Sequence, residues 1–201
     1  MKKSILLAAI GLVASVSSTF GLGYILLDNY ASSGPMVTYG PGGLNPVGTG
    51  LGAGWTAGFY YALGNVTGSI AADPSGYADP TTLGGGLVLG TGPGSTAAFG
   101  FPFAPGYFSA PQGFQIADNP GDTITVMVVA YDGASYATSL DRGHSVAFTM
   151  PLGAVTTPPP VNAVGFFMPG FSIITPVPEP ATLALGGLGL ASLLFFRRKQ
   201  A

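Results

Sequence analysis

The clearest pattern in the chain runs from Thr123 to Tyr131. Ile124, Val126, Val128 and Ala130 fall on one face, and Thr125, Met127, Val129 and Tyr131 on the other. Side chains alternate across a strand, so a run that is largely apolar on both sides reads as a central strand. Trp55 to Leu63 is a second strand, with Trp55, Ala57, Phe59 and Tyr61 on one face. Shorter strands are expected at Leu22–Asp28, Met36–Tyr39, Leu87–Leu89, Gly113–Ala117, Ala163–Phe167 and Phe171–Ile174. Ser145–Met150 is another, with Val146, Phe148 and Met150 together on one face.

Between these runs stand turn residues. They include Gly40-Pro41-Gly42-Gly43, Asn45-Pro46, Gly64-Asn65, Asp73-Pro74, Asp79-Pro80 and Asp132-Gly133. Asn119-Pro120-Gly121-Asp122 is a tight turn in which each residue suits its place. Ala97 to Phe108 is aromatic, but Pro102 and Pro105 cannot donate to a ladder, which puts it at an edge or in irregular structure. Ala134–Leu140 reads as one or two helical turns, and Pro158-Pro159-Pro160 as a stiff connector. No stretch between the two chain ends sustains a capped helical period. The expected fold is all-β, a sandwich or barrel, with a single jelly-roll-like β-sandwich as the reading adopted.

The two ends break this pattern. Met1-Lys2-Lys3 precedes an apolar run from Ser4 to Val16, followed by small residues at Ser17 and Ser18. This is the layout of a Sec-type signal peptide, residues 1–18, with an uncleaved anchor as the alternative. At the other end Val177-Pro178-Glu179-Pro180 leads into Ala181–Phe196, which carries no charge, and Arg197-Arg198-Lys199 closes it. As a helix the apolar run rises about 24 Å. That is slightly short of a ~30 Å hydrocarbon core, a gap the basic cluster covers by snorkelling. The run is apolar on every face, where a surface helix would keep one polar side. Residues 181–196 therefore read as a transmembrane helix with its basic end in the cytoplasm, and residues 19–176 as an ectodomain outside it.

Pro-Glu-Pro, a short hydrophobic helix and a terminal basic cluster together resemble the PEP-CTERM sorting domain of Gram-negative bacteria, here residues 177–201. The resemblance implies that an exosortase, a membrane transpeptidase with a nucleophilic cysteine, reads Pro178, Glu179 and Pro180 as substrate. It names the Sec machinery and the exosortase as partners and assigns no catalysis to this chain. The two prolines hold the segment extended, the form a processing enzyme can grip. Gly121-Asp122-Thr123-Ile124-Thr125-Val126, with Ala130-Tyr131-Asp132-Gly133, Ser135-Tyr136, Gly143 and Ser145, is similar to a pattern of many PEP-CTERM ectodomains. That likeness bears on the fold class alone.

Charge removes several functions. Between Thr19 and Val177 stand seven aspartates, Asp28, Asp73, Asp79, Asp118, Asp122, Asp132 and Asp141, and one base, Arg142. The ectodomain is thus net −6, while the whole chain is −2. A nucleic-acid partner would need a basic face, which is lacking; anionic lipid surfaces are disfavoured for the same reason. There is no cysteine, so packing and backbone hydrogen bonds must hold the core.

Candidate chemistry is sparse. Asp141-Arg142-Gly143-His144-Ser145 holds the letters of a Ser-His-Asp triad, but adjacent His and Ser point to opposite faces of a strand. The expectation is an exposed His144 at a strand start. One His and no Cys make a poor zinc set. Gly48-x-Gly50-x-x-Ala53 and Gly92-x-Gly94-x-x-Ala97 lack the βαβ context of a dinucleotide site, and Asn65-Val66-Thr67 is a sequon expected to stay unmodified.

Asp118 and Asp122, with Asn119 between them, are the best local pair for Ca²⁺, although no Asp-x-Asp-x-Asp-Gly loop exists and solvated turn residues are the plainer reading. Among Trp55, Tyr60, Tyr61, Tyr107, Phe108 and Tyr136, Trp55 and Tyr107 are the candidates for stacking on sugar rings; ordinary core aromatics are the alternative. The functional expectation is a non-enzymatic, cofactor-free structural or interaction protein of the cell envelope or extracellular matrix. It would be exported, anchored in the inner membrane as a precursor, and then placed at the cell surface or released. The competing reading is an exopolysaccharide-binding module.

Overall fold

A computed structural model describes residues 21–100, 102–154 and 162–175. The signal-peptide reading, the proline connector and the run 181–196 lie outside the described residues. Among the described residues no helix is long and apolar enough to cross a membrane.

The architecture is all-β. Its centre is the antiparallel pair β3 (Thr56–Leu63) and β7 (Thr123–Tyr131), in register from Thr56 opposite Tyr131 to Leu63 opposite Ile124. Each has its other edge shared by two short strands. On β3 these are β4 (Val88–Leu89) and β5 (Ala97–Ala98); on β7 they are β8 (Arg142–His144) and β9 (Phe148–Pro151). The result is a six-stranded sheet. Two ribbons complete the fold: β1 (Gly23–Ile25) antiparallel to β6 (Phe114–Ile116), and β2 (Thr38–Tyr39) parallel to β10 (Ser172–Ile173).

The alternation expected for β7 sets the layers. Ile124, Val126, Val128 and Ala130 join Ala57 and Phe59 on one face and pack against Ile25, Leu27, Val37, Phe114, Ile116 and Ile173 of the ribbon side. Phe59 meets Phe114 edge-on at 5.1 Å between ring centres. The opposite face carries Tyr60, Ala62, Met127 and Val129, which are covered by Val66, Ile70, Leu83, Leu87 and Tyr136. A sheet buried on both faces explains why β7 lacks a polar side.

Three local expectations are corrected. First, His144 lies in a strand of its own, β8, and is 4% exposed. Second, β8 and β9 are separated by a bulge. Val129 pairs with His144 and Val126 with Phe148, so Ser145, Val146 and Ala147 stand opposite only Met127 and Val128. Ser145 closes the bulge, donating from its N to Val128 O (2.8 Å) and accepting from Val128 N on Oγ (3.1 Å). The extra residue turns Val146 outward, 64% exposed, and away from Phe148 and Met150.

Third, Val164–Phe166 is a single 3-10 turn within the expected strand at Ala163–Phe167. Ala134–Leu140 holds one helical turn, as expected: Ser139 N and Thr138 N donate to Ser135 O at 3.1 and 3.3 Å. Ser139 Oγ accepts from Gly133 N and donates to Ser135 O, at 2.9 and 2.8 Å, and these side-chain bonds tie the turn to the end of β7.

Phe59→Ala should cost about 3–5 kcal/mol, since the ring is fully buried between the layers. Leu63→Ala, on a half-exposed side chain of the same strand, should stay within about 0.5 kcal/mol. Urea unfolding should separate the two by midpoint with unchanged slope.

Candidate functional site

The densest polar cluster sits where the loop from Ala72 to Pro80 crosses β8. Asp73 organises that loop. Its Oδ1 accepts from Ser75 N (3.0 Å) and Ser75 Oγ (2.5 Å), and its Oδ2 from Tyr77 N (2.9 Å) and Ala78 N (2.8 Å). The same Oδ2 lies 3.0 Å from His144 Nε2. His144 Nδ1 lies 2.8 Å from Ser145 O, so both ring nitrogens face oxygen acceptors. Burial pushes the Asp73 carboxyl up, but hydrogen bonds from Ser75, Ala78 and His144 outweigh it and hold the group well below the usual carboxylate range.

Arg142 sits beside this pair without a carboxylate partner. Its Nε donates to Tyr77 O (3.1 Å) and one terminal nitrogen to Tyr136 O (2.9 Å) and Ala137 O (2.8 Å). The guanidinium lies 4.2 Å from the Tyr77 ring centre and 5.1 Å from that of Tyr136, a double cation–π contact. Burial, the largest influence, raises the Tyr136 phenol far above its ordinary value, and burial with Asp79 nearby pushes Tyr60 up to about 12. Tyr136 therefore keeps its proton and donates to Ala78 O at 3.2 Å.

The triad letters are not assembled as a triad. The carboxylate on His144 belongs to Asp73, 71 residues away, rather than to Asp141. Ser145 Oγ is tied to Val128 N, and Ser75 Oγ to Asp73, so neither hydroxyl is hydrogen-bonded to the imidazole as a nucleophile requires. Asp73 escaped the sequence reading because nothing local marks a partner so distant; only its Asp-Pro-Ser turn letters hinted at a structured loop.

The other candidates are dispersed. Trp55 is 9% exposed, meets Tyr39 edge-on at 5.8 Å, and donates from Nε1 to Tyr39 Oη at 3.1 Å. This corrects its place on a sugar-stacking surface: it shares the inner face of β3 with Ala57 and Phe59, and a ring in the core offers no open face to a sugar. Tyr107 goes to a different group. Half-buried, it meets Tyr30 edge-on at 6.0 Å, and Tyr30, 50% exposed, lies 5.0 Å from Phe103. Phe103 also borders an uncharged groove with Pro102, Thr56, Thr96, Ser109 and Pro111.

Asp118 and Asp122 do converge. Asp118 Oδ1 (3.0 Å) and Asp122 Oδ2 (3.2 Å) accept from the same Asn119 N. Two carboxylates are few for a cation that takes six to eight oxygens. Among the described residues no group of three or more His, Cys, Asp or Glu is placed to hold a metal.

The last described segment is paired on both sides. β10 is paired to β2, and beyond it Ile174 bridges Arg142 of β8, donating to Arg142 O at 2.9 Å. The fold thus pairs the chain as far as Ile174. The family description "PEP-CTERM protein-sorting motif" matches residues 176–199, beginning two residues on.

The chain carries a PEP-CTERM protein-sorting motif.

Val177, Pro178, Glu179 and Pro180 and the cluster Arg197, Arg198 and Lys199 all fall inside the matched span. The PEP-CTERM motif marks an exported protein targeted to an exosortase. No curated protein and no solved structure matches the chain.

In this motif-bearing chain the Asp73 cluster has a measurable consequence. A carboxyl held low in the folded state contributes stability that is complete above its unfolded pKa, near 4, and is lost as pH falls toward the folded value. Urea midpoints of the wild type should therefore drop on acidification below about pH 4. Asp73→Ala should cost on the order of 3–5 kcal/mol at neutral pH, because it leaves His144 Nε2 and the amides of Ser75, Tyr77 and Ala78 without their acceptor, and should show a shallower acid drop.

Proposed function

We propose that the protein is a structural or interaction component of the cell envelope or extracellular matrix, delivered by exosortase processing. The observation that carries this reading is the junction at Thr175. The last pairing of the all-β domain, Ile174 on Arg142, stands two residues before the start of the sorting motif, which supports reading the domain as cargo and the tail as its handle. In this reading the run 181–196 is a temporary membrane anchor, exported after the Sec signal peptide. Cleavage at Pro178-Glu179-Pro180 frees an acidic, lysine-free domain. The Asp73, His144 and Arg142 cluster is a buttress for the loop over the sheet and has no catalytic task. Asp118 and Asp122 cap their turn, and no cofactor is required.

The C-terminal mass of the mature protein tests it. In cells with the sorting enzyme the mature form should lack Arg197-Arg198-Lys199; without the enzyme the tail should remain. An intact tail in both overturns the proposal.

A second reading, exopolysaccharide binding, is favoured by the cluster of exposed Tyr30 with half-buried Phe103 and Tyr107 beside the uncharged groove. A partly open aromatic cluster of this kind suits neutral sugar rings. Pull-down with the host's own exopolysaccharide should then weaken by roughly three- to tenfold for Tyr30→Ala or Tyr107→Ala, while Trp55→Phe should leave the residual affinity of the folded protein unchanged.

A further inference from the structure

The chain enters and leaves the domain at opposite ends of β7. Gly21 donates to Asn119 Oδ1 at 2.9 Å, next to the turn that starts β7. Thr175 follows Ile174, which bridges Arg142, itself opposite Tyr131 at the end of β7. At ~3.4 Å per residue the strand separates these poles by about 27 Å.

The exit pole has an unusual surface. β2 runs parallel to β10, so the loop after β2, Gly40 to Gly50, projects in the direction in which the chain leaves. Gly40 N donates to Ile173 O at 2.9 Å, and a side chain at Gly43 would meet Thr175 Oγ1 at 3.0 Å. β8 runs opposite to β7, which puts the residues preceding it, Leu140 and Asp141, at the same pole. Leu44 is 105% exposed, Leu140 77% and Val47 68%, the three highest values for large hydrophobic side chains among the described residues. All three are at the exit pole. The loop from Gly40 to Gly50 carries no charge; the charged groups nearby are Asp132, Asp141 and Arg142, whose guanidinium is turned onto the carbonyls of Tyr77, Tyr136 and Ala137.

Chain length decides what this surface faces. Only five residues, 176–180, lie between Thr175 and Ala181, where the apolar run begins, which makes six steps of chain. Fully extended they reach at most about 22 Å. A domain tethered so closely keeps its exit pole within reach of the bilayer surface for as long as the tail is attached. We propose that the exit pole docks on the lipid surface of the membrane, with Leu44, Val47 and Leu140 in the interfacial layer, and so holds the precursor upright for processing. The proposal rests on the reading of residues 181–196 as a membrane anchor. Asp132 and Asp141 direct it to zwitterionic rather than anionic lipid. Removing the anchor leaves three apolar side chains, too few for lasting attachment, so docking and release are compatible.

The chain has no cysteine, which makes single-site labelling clean. Leu44→Cys, Leu140→Cys and, at the far pole, Leu63→Cys would each be made in the full chain. Each is labelled with bimane and reconstituted in phosphatidylcholine vesicles that carry bromine on the acyl chains. Flotation reports the anchor separately. The expected result is a chain that floats, with emission lost at positions 44 and 140 and retained at 63. A floating chain with no loss at 44, or equal loss at all three positions, overturns the docking and leaves the anchor reading standing. A chain that does not float overturns both. Shielding at 44 that arises only after the exosortase is added overturns lipid docking in favour of a protein contact.

Discussion

Eight consecutive residue pairs between β3 and β7 carry the fold. Every other strand of the sheet is fastened to one of these two, and both ribbons pack on the face they create. This pair brings together segments about 67 residues apart in sequence, from Thr56–Leu63 to Thr123–Tyr131, so its loop-closure cost is met before most of the core exists. With no disulfide to share that cost, the strength of the central pairing lies in burial on both faces. The shorter strands, two to four residues each, depend on it, since isolated strands of that length are not stable in water.

Charge is rationed in the same spirit. The one histidine and the one arginine of the ectodomain are both spent on fastening the loop from Ala72 to Pro80 over the outer face of the sheet. Arg142 is satisfied by carbonyls and two tyrosine faces, not by a carboxylate, and Asp73 binds backbone amides as well as His144. A buried charge that keeps its hydrogen bonds is tolerable, whereas one that loses them is costly. One further buried carboxylate, Asp28, accepts from Ser32 N through Oδ1 and has no partner on Oδ2 among the described residues. Its neighbour Asn29 bonds Pro35 O, Gly106 O and Phe108 N, tying the first ribbon to the aromatic segment around Phe108.

The sheet also determines how the sorting motif is presented. β8 is held by β7 on one edge and by Ile174 on the other. Gly143 is needed at this crossing, because a Cβ there would meet the backbone of Ile173 at 2.7 Å. The PEP-CTERM span, from residue 176, therefore begins within three residues of the end of β10.

The tail, the all-β class and the two principal strands were legible in the sequence because each depends on a local property: unbroken hydropathy, turn chemistry, or period-two alternation. The Asn119–Asp122 turn, closed by Asp122 N to Asn119 O at 3.1 Å, belongs with them. What the tertiary structure decided was everything that depends on residues far apart. The bulge at Ser145 shifts the alternation by one residue, so Val146 faces solvent although its spacing to Phe148 points inward. His144 is buried because the loop of Asp73 folds over it. Trp55 is lost to the core and Tyr107 kept near the surface by which sheet face each segment meets. Above all, the coincidence of Leu44, Val47, Leu140 and the chain exit at one pole follows from the direction of pairing between β2 and β10, and the direction in which two strands pair is not written in either one alone.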